Sequence, residues 1–275
     1  MSAGEARLQG FLAALAARPL VMGILNLTPD SFSDGGKFQQ FDAARAQAKA
    51  LVDGGADILD VGAESTRPGH TAVAADEEWR RLEPVLRPLV EEFGLPFSID
   101  TYKAETARRA LALGVSVVND VWGLQRDPRM AETVAESGAG LVVMHNRETV
   151  DAGIDIVDDM LRFFERSLAL ADRAGVARAR ILVDPGVGFG KSRAQNLQAL
   201  KAVARLKRAF GLPVLIGVSR KRLFGELLGA GVDDRLIGTL AANLTTLARG
   251  ANVFRVHDAA AHRAAFTVFE AIENA

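Results

Sequence analysis

The sequence predicts an α/β protein that folds as a single (β/α)8 barrel, and two observations support that fold class. Eight short apolar segments alternate with stretches in which the apolar residues have helical spacing. Each apolar segment also ends in polar or charged residues, and (β/α)8 barrels collect their functional groups at the carboxyl ends of buried, Val/Ile/Leu-rich strands. The expected strands cover residues 19–27, 56–61, 95–99, 115–118, 140–144, 180–183, 212–218 and 252–256.

Helices are expected in the gaps between these strands. An N-terminal helical extension, residues 1–18, should close the base of the barrel through its apolar segment 11–17. Glycines such as Gly175 and Gly211 stand where helices should end, because glycine adopts the left-handed backbone of a helix terminus without steric strain. The other expected helices cover residues 41–53, 76–93, 103–113, 128–137, 156–174, 195–210, 235–249 and 259–273.

An open, doubly wound sheet is the alternative arrangement of alternating strands and helices. Its dinucleotide-binding fingerprint is missing, because the glycine-rich segment 186–191 has Lys191 where the third glycine should stand. The same segment fails as a phosphate-binding P-loop, since Pro185 takes the place of the first glycine. Eight strand–helix units therefore favour the closed barrel.

The composition fits one large domain spanning residues 1–275 and a small-molecule partner. The chain is 49% hydrophobic and 24% charged, and no Pro/Gly/Ser-rich linker divides it. A net charge of −1 provides no broad cationic surface for nucleic acid or for an acidic membrane. The absence of cysteine excludes disulfides, thiolate zinc sites and cysteine nucleophiles, and is compatible with a cytoplasmic location. No segment approaches the roughly 20 apolar residues that span a bilayer.

Three polar side chains at different strand ends suggest a binding site for a nitrogen-rich heterocycle. Asp100, Asn119 and Asp184 follow the third, fourth and sixth expected strands, and each alone reads as the N-cap of the next helix. Barrel geometry, however, turns all three toward one axis. Carboxylates and an amide in an apolar pocket are destabilising if unpaired, so together they favour a ligand with several N–H groups.

A second group of residues, after the last two strands, predicts an anion site. Ser219-Arg220-Lys221 and Arg255-Val256-His257 lie where barrels commonly bind phosphate. Strand alternation places Arg255 and His257 on the same side, and an arginine inside an apolar strand is costly unless something pairs with it. Lone histidines are more often structural, and that interpretation is adopted for His70, His145 and His262.

Two polar loops leave the first two strands. Residues 25–36 contain Thr28-Pro29-Asp30 and Asp34-Gly35-Gly36, which are turn sequences but also offer oxygen ligands for a hard cation such as Mg²⁺. Residues 64–70 form the second loop, where Arg67 is suited to contact a phosphoryl group or a carboxylate. No Ser-His-Asp order and no zinc-ligand spacing occurs, so group transfer is favoured over hydrolysis.

These motifs, taken in order, resemble the dihydropteroate synthase family, a family of pterin-binding TIM barrels. The resemblance runs from Val21 to about Ile272. Its pieces are Met22-Gly-Ile-Leu-Asn-Leu-Thr-Pro-Asp-Ser-Phe-Ser-Asp-Gly-Gly36, Gly62-Ala-Glu-Ser-Thr-Arg-Pro-Gly69, Ser98-Ile-Asp-Thr101, Val118-Asn-Asp120, Asp184-Pro-Gly-Val-Gly-Phe-Gly-Lys191, Ser219-Arg-Lys221 and Arg255-Val-His-Asp258.

The resemblance implies condensation of a 7,8-dihydropterin methyl diphosphate with p-aminobenzoate, which forms 7,8-dihydropteroate and releases diphosphate. It also implies residue roles. The pterin would be bound by Asp100, Asn119, Asp184 and Lys221, with Ser219 beside them and Met144 and Phe189 packing near the ring. Arg255, His257 and Asn26 would hold the diphosphate and its Mg²⁺, with Asp34 as a further metal ligand. The p-aminobenzoate site would be built by Phe32, Asp34, Ser65, Thr66, Arg67 and Pro68.

Two departures from the family pattern keep alternatives open. Asn146-Arg147-Glu148-Thr149 replaces a Gly-x-Pro-type loop, and Arg222 stands where a small residue is usual. One alternative is a pterin-dependent methyltransferase on the same barrel, which would not need the loop around Phe32. Another is a non-catalytic pterin-binding paralogue, since fold and site fragments do not guarantee turnover. The family further implies a homodimer formed through the outer helices.

Overall fold

The computed structural model describes residues 3–27, 37–64 and 73–275, with the backbone alone at 37–40. Eight parallel strands form one sheet in this part of the chain. The strands are β1 Leu20–Asn26, β2 Ile58–Gly62, β3 Phe97–Asp100, β4 Val117–Asp120, β5 Gly140–Met144, β6 Ile181–Asp184, β7 Leu215–Ile216 and β8 Val253–Val256. Their order is β6-β5-β4-β3-β2-β1-β8-β7, so each strand from β1 to β6 lies beside its neighbour in sequence.

The two outer strands of this order, β6 and β7, meet and close the sheet into a barrel. Val183 forms a parallel bridge with Val214, and its N–H donates to the carbonyl of Pro213 at 3.0 Å. This contact confirms the closed barrel over the open sheet. The seventh strand is shorter at both ends than the expected 212–218, and Pro213, which has no N–H to donate to a strand ladder, lies before its start.

Helices cover the outside of the barrel and its base. They are α1 Ala3–Ala17, α2 Lys37–Asp53, α3 Ala75–Glu92, α4 Ala104–Ala112, α5 Met130–Ser137, α6 Ile156–Ala174, α7 Arg193–Lys201, α8 Val203–Phe210, α9 Arg222–Leu228, α10 Leu236–Leu247 and α11 Ala259–Glu273. Leu8, Phe11 and Leu15 of α1 pack in one buried cluster with inward residues such as Met22 and Leu182. The N-terminal helix therefore closes the base of the barrel, as expected. Among the helices that the structure describes, none has the length and apolar character to cross a bilayer.

Two helical regions differ from expectation. Residues 195–210 form α7 and α8, separated at Ala202, rather than one helix. A reciprocal pair of hydrogen bonds between Ser192 and Gln195 starts α7 two residues before the expected boundary. The short helix α9 was not predicted, although its apolar residues Leu223, Phe224, Leu227 and Leu228 have helical spacing.

Strand alternation produces two layers inside the barrel, and this determines where the site lies. In four strands an inward apolar side chain near the base is followed, two residues later, by a polar one. These pairs are Ile58 and Asp60 in β2, Val117 and Asn119 in β4, Leu182 and Asp184 in β6, and Val253 and Arg255 in β8. Because side chains two apart share a face, an apolar floor supports a polar layer at the carboxyl ends of the strands.

Candidate active site

The polar layer is centred on Arg255 of β8, which lies between two carboxylates. Its Nε donates a hydrogen bond to Asp60 Oδ2 at 2.5 Å, and its Nη2 donates to Asp100 Oδ2 at 2.8 Å. Burial disfavours the charged guanidinium, but the neighbouring carboxylates outweigh it and raise the pKa of Arg255. The sequence interpretation required a partner for this arginine and looked for it in a ligand anion. The protein itself supplies two partners, which leaves the other guanidinium hydrogens for a ligand.

Asp60 is a site residue that the sequence interpretation missed. Its side chain is fully buried, and Oδ2 also accepts a hydrogen bond from Asn119 Nδ2 at 3.3 Å. A signal was present, because a carboxylate between the apolar Leu59 and Val61 of an expected strand is costly unless it is paired. The expectation covered only the residues that end or follow a strand, whereas Asp60 lies two residues before the end of β2.

Asp100 faces the barrel interior and does not cap a helix. The first N–H of α4, at Ala104, donates instead to Asp127 Oδ2 at 3.0 Å, and no side chain of the N-cap residue takes part. Burial raises the pKa of Asp100 to about 7, and the nearby Asp60 adds to the effect while Arg255 opposes it. Asp100 Oδ1 is buried and has no hydrogen-bond partner among the described residues. This oxygen is an acceptor that a bound ligand could satisfy.

Asp184 and Lys221 form the second charged pair of the site. Asp184 Oδ1 accepts the N–H of Gly186 at 2.7 Å; burial raises the pKa of Asp184, and Lys221 opposes that shift. The Lys221 ammonium donates to the carbonyl of Val187 and lies 4.5 Å from the ring centre of Phe189. Burial lowers the pKa of Lys221 to about 8, an effect that Asp184 counteracts. The structure thus brings together Asp184, Lys221 and Phe189, as the resemblance implies.

The glycine-rich loop after β6 holds these residues in place. Gly186 has φ +62°, and a Cβ there would lie 1.8 Å from the carbonyl oxygen of His145, so only glycine fits. The buried Lys191 secures the loop from inside, because its Nζ donates to the carbonyls of Gly186 at 2.7 Å, Phe189 at 3.1 Å and His145 at 3.3 Å. Burial lowers the pKa of Lys191 to about 7. Lys191 is a structural residue of the site for which no role was predicted.

The ends of β7 and β8 are joined through Ser219 and His257. Ser219 Oγ lies 2.9 Å from His257 Nδ1 and accepts the backbone N–H of His257 at 3.1 Å. Arg220 has a different arrangement, with a left-handed φ of +53° and a guanidinium that donates to both oxygens of Asp258. Of the residues expected at the anion site, His257 is therefore oriented by Ser219, whereas Arg220 is engaged by Asp258.

The two atypical segments make contacts away from the polar layer. Arg147 Nη1 donates to Asp159 Oδ2 at 2.7 Å, and Asp159 also binds Nε2 of the buried His145 at 3.0 Å. Burial lowers the pKa of His145 to about 3, so this histidine is a neutral structural residue, as expected. Arg222 is exposed and pairs with Glu226 at 2.6 Å.

The remaining expected residues are distributed as follows. Met144 is buried and shares the inward face of β5 with Val142, and Asn26 lies half-buried at the end of β1. His262 is buried, with Nδ1 2.8 Å from the carbonyl oxygen of Asp258. The loop residues expected to complete the site lie outside the described residues and stay predictions: Phe32, Asp34, Ser65, Thr66, Arg67, Pro68 and His70.

The arrangement can bind a planar, N–H-rich ligand beside an anionic group, and the chain as a whole is similar to known proteins. The family model described as "Pterin binding enzyme" matches residues 22–257. Dihydropteroate synthase of Clostridium beijerinckii is 42% identical over 245 residues, which are 89% of this chain and 90% of that protein. A crystal structure of dihydropteroate synthase from Clostridium difficile with pteroic acid has a TM-score of 0.90 at 46% identity, covering 93% of this chain and 97% of that one. The Xanthomonas albilineans dihydropteroate synthase with 4-aminobenzoic acid also has a TM-score of 0.90, at 45% identity and 94% coverage of both chains.

Proposed function

The chain belongs to the dihydropteroate synthase family of pterin-binding enzymes, and we propose that it condenses (7,8-dihydropterin-6-yl)methyl diphosphate with p-aminobenzoate. The arylamine nitrogen bonds to the methylene carbon, the bond from that carbon to the diphosphate oxygen breaks, and the amine loses one proton. The products are 7,8-dihydropteroate and diphosphate, in a step of folate biosynthesis. The observation that carries this proposal is the convergence of Asp100, Asn119 and Asp184 with two cations, Lys221 and Arg255, in one layer at the barrel mouth.

The pterin is recognised by the acceptors of this layer. The unpartnered Asp100 Oδ1 and the second oxygen of Asp184 accept N–H groups of the pterin. Asn119 contributes its carbonyl oxygen, while one of the two N–H groups on its Nδ2 donates to Asp60. Lys221 donates to the pterin carbonyl from the opposite side. Phe189 and Met144 pack against the ring and keep water from these hydrogen bonds.

Departure of the diphosphate is the difficult step, and Arg255 and His257 stabilise the charge that develops on it. Hydrogen-bond donors that are oriented before the reaction stabilise such charge without reorganisation. In the structure Arg255 contacts Asp60 and Asp100, and His257 contacts Ser219. The electron-rich pterin stabilises the carbon left behind. A neutral arylamine attacks that carbon without a strong base, which suits a site whose carboxylates are engaged in recognition.

We propose that Asn26 would hold Mg²⁺ beside the diphosphate, with Asp34 as a further ligand. No group of three His, Cys, Asp or Glu side chains arranged for a metal occurs in the described residues. The two protein oxygens of Asn26 and Asp34 suit Mg²⁺, which commonly uses one or two protein oxygens together with substrate phosphates and water. When bound, the ion would neutralise charge on the leaving diphosphate. Chelation with EDTA should abolish most turnover and Mg²⁺ should restore it, whereas equal turnover in metal-free buffer would contradict this site.

Product formation from purified components tests the proposed activity. We expect diphosphate release only when both the dihydropterin diphosphate and p-aminobenzoate are present, with 7,8-dihydropteroate formed in equal amount. Methyl transfer from a folate without arylamine would instead indicate a methyltransferase. Pterin binding without turnover, and failure to complement a folate-synthesis deletion, would indicate a non-catalytic paralogue.

The pH dependence of kcat/KM for the pterin substrate should be bell-shaped. Asp100 accepts from Arg255 through Oδ2 and from the pterin through Oδ1, and a proton on Oδ1 would replace that acceptor with a donor. The pKa of Asp100, about 7, lies above the usual range, so kcat/KM should fall as the pH drops below about 7. Lys221 is required as an ammonium, and its pKa of about 8 predicts a second fall above about 8. Replacing Lys221 with arginine, which stays charged, should move the alkaline limb to higher pH. An unchanged alkaline limb in that variant would contradict the assignment.

A homodimer formed through α10 and α11 is the proposed assembly. Ile237 of α10 is 76% exposed, and Val268 and Ile272, one turn apart on α11, are 61% and 67% exposed. Such apolar side chains on neighbouring helices favour a protein contact. Light scattering should give twice the chain mass, and Ile237→Lys with Val268→Lys should halve it, whereas Leu197→Lys on α7 should not. A monomeric wild-type protein would overturn this proposal. The proposed location is the cytoplasm, which cell fractionation would test.

A further inference from the structure

Asp60 connects three strands at the centre of the barrel. It comes from β2, its Oδ2 lies 2.5 Å from Nε of Arg255 in β8, and the same oxygen lies 3.3 Å from Nδ2 of Asn119 in β4. Its side chain is fully buried, and its other oxygen, Oδ1, has no partner among the described residues. The Arg255 side chain is 20% exposed and that of Asp60 is 0% exposed, so a ligand in the barrel mouth reaches Arg255, while Asp60 lies deeper.

Stability alone does not account for a carboxylate at this position. Two residues earlier, on the same inward face of β2, the apolar Ile58 fills the barrel together with Val253. A buried ion pair is often no more stabilising than apolar side chains of similar volume, because both charges lose their hydration. An apolar layer at the height of Asp60 and Arg255 would thus hold the barrel together equally well.

The contacts of Asp60 determine the orientation of a flexible side chain. Arginine has a long stem, but its guanidinium is planar and its N–H groups form a rigid fork. The Arg255 guanidinium is anchored at Nε by Asp60 and at Nη2 by Asp100. These two contacts define the plane of the guanidinium and therefore the direction of its Nη1 hydrogens. In the proposed function Asp100 is shared, because it accepts the pterin through Oδ1 and Arg255 through Oδ2. Asp60 has no substrate contact in that proposal, so its Oδ2 serves only Arg255 and Asn119.

We propose that Asp60 is a positioning residue that orients Arg255 toward the leaving diphosphate and the Asn119 amide toward the pterin. This inference rests on the proposed function, because the two groups are assigned to leaving-group stabilisation and pterin recognition there. Asp60 touches neither substrate and acts through the two side chains that its Oδ2 holds.

The test compares Asp60→Asn with a matched carboxylate at the other end of the barrel. Asp57 also pairs with two arginines, Arg18 and Arg263, but at the base. In Asp60→Asn we expect kcat to fall about 30-fold, since displacement of a catalytic group by an ångström costs up to about 100-fold. The dissociation constant of a pterin, measured by calorimetry, should rise about 5-fold through Asn119, within the usual range for one hydrogen bond. In Asp57→Asn the melting temperature should fall while both quantities stay unchanged.

A double-variant cycle separates positioning from a general loss of structure. If Asp60 acts on the rate through Arg255, adding Asp60→Asn to Arg255→Ala should slow kcat no further, because the oriented group is already gone. Multiplying effects, or wild-type kcat and pterin affinity in Asp60→Asn, would overturn the inference. Asp60→Glu keeps the charge and displaces it by one methylene, so it should show the same kcat loss if Asp60→Asn does not fold.

Failure of the proposed function gives a different result. If the wild-type protein forms no dihydropteroate but binds a pterin, the proposed function fails and the inference is then judged by calorimetry alone. A weaker pterin affinity in Asp60→Asn, absent in Asp57→Asn, would support the link between Asp60 and Asn119. Equal affinities in the wild type and both variants would reject it.

Discussion

Replacing Arg255 with alanine should lower kcat/KM about 1000-fold, in the range for loss of a charged group that stabilises a leaving oxygen. The same change should destabilise the fold by about 3–5 kcal/mol, because it leaves two carboxylates, Asp60 and Asp100, buried without their cation. Steady-state kinetics with both substrates and urea unfolding at pH 8 measure the two effects. Lysine at this position should restore little rate, since it cannot make the two directed hydrogen bonds that Arg255 makes.

Arg263→Ala is the matched control for this prediction. The Arg263 side chain is 25% exposed, against 20% for Arg255, and it also pairs with a carboxylate, Asp57, but at the base of the barrel. It should therefore lose stability and keep its kcat/KM. If both alanine variants lost stability and rate together, the rate loss in Arg255→Ala would reflect unfolding, and wild-type turnover in that variant would refute its assignment.

Replacing Asp184 with asparagine should weaken pterin binding about 100-fold. The amide oxygen of the new side chain can still accept the N–H of Gly186, which keeps the loop after β6 closed. The amide NH2 then takes the place of the carboxylate oxygen that accepted a pterin N–H. Two donors, the asparagine NH2 and the pterin N–H, would face each other and no hydrogen bond could form. The loss of one charged hydrogen bond in a buried site has a cost of about this size. Calorimetric titration with a pterin measures the affinity directly.

Asp120→Asn provides the control for that variant. Asp120 is a fully buried carboxylate at the end of β4, and it accepts the N–H groups of Trp122 and Leu124 at 2.8 and 2.7 Å. Its replacement should cost stability without changing pterin affinity. Equal affinity losses in both variants would show that buried charge in general, rather than Asp184, governs binding.

The fold could be predicted from local patterns to a large extent. Strand alternation places each polar residue of the site relative to its own strand, as for Asp184 two residues after Leu182. The N-terminal helix at the base followed from one apolar segment. The division of 195–210 into two helices did not follow, because helix ends depend on single caps and on tertiary contacts that periodicity does not contain.

The positions of the site residues along the chain were predicted, but the contacts between their side chains were not. Residues such as Asp100, Lys221 and His257 were identified from where they stand along the chain. Their partners come from distant strands: Arg255 and Asp60 are 195 residues apart, and Ser219 and His257 are 38 apart. Asp60 and Lys191, each buried in a contact with another element, were overlooked for the same reason.

The sequence by itself therefore determined the barrel, its polar mouth and the side chains that face it, because alternation and helical spacing follow from the covalent geometry of each segment. Only the tertiary structure decided which charged side chains form ion pairs with each other. It assigned Arg255 to Asp60 and Asp100, and it engaged Arg220 with Asp258, away from the anion site. These pairings depend on which strand ends become neighbours when the barrel closes, and on burial that makes each charge require a partner nearby.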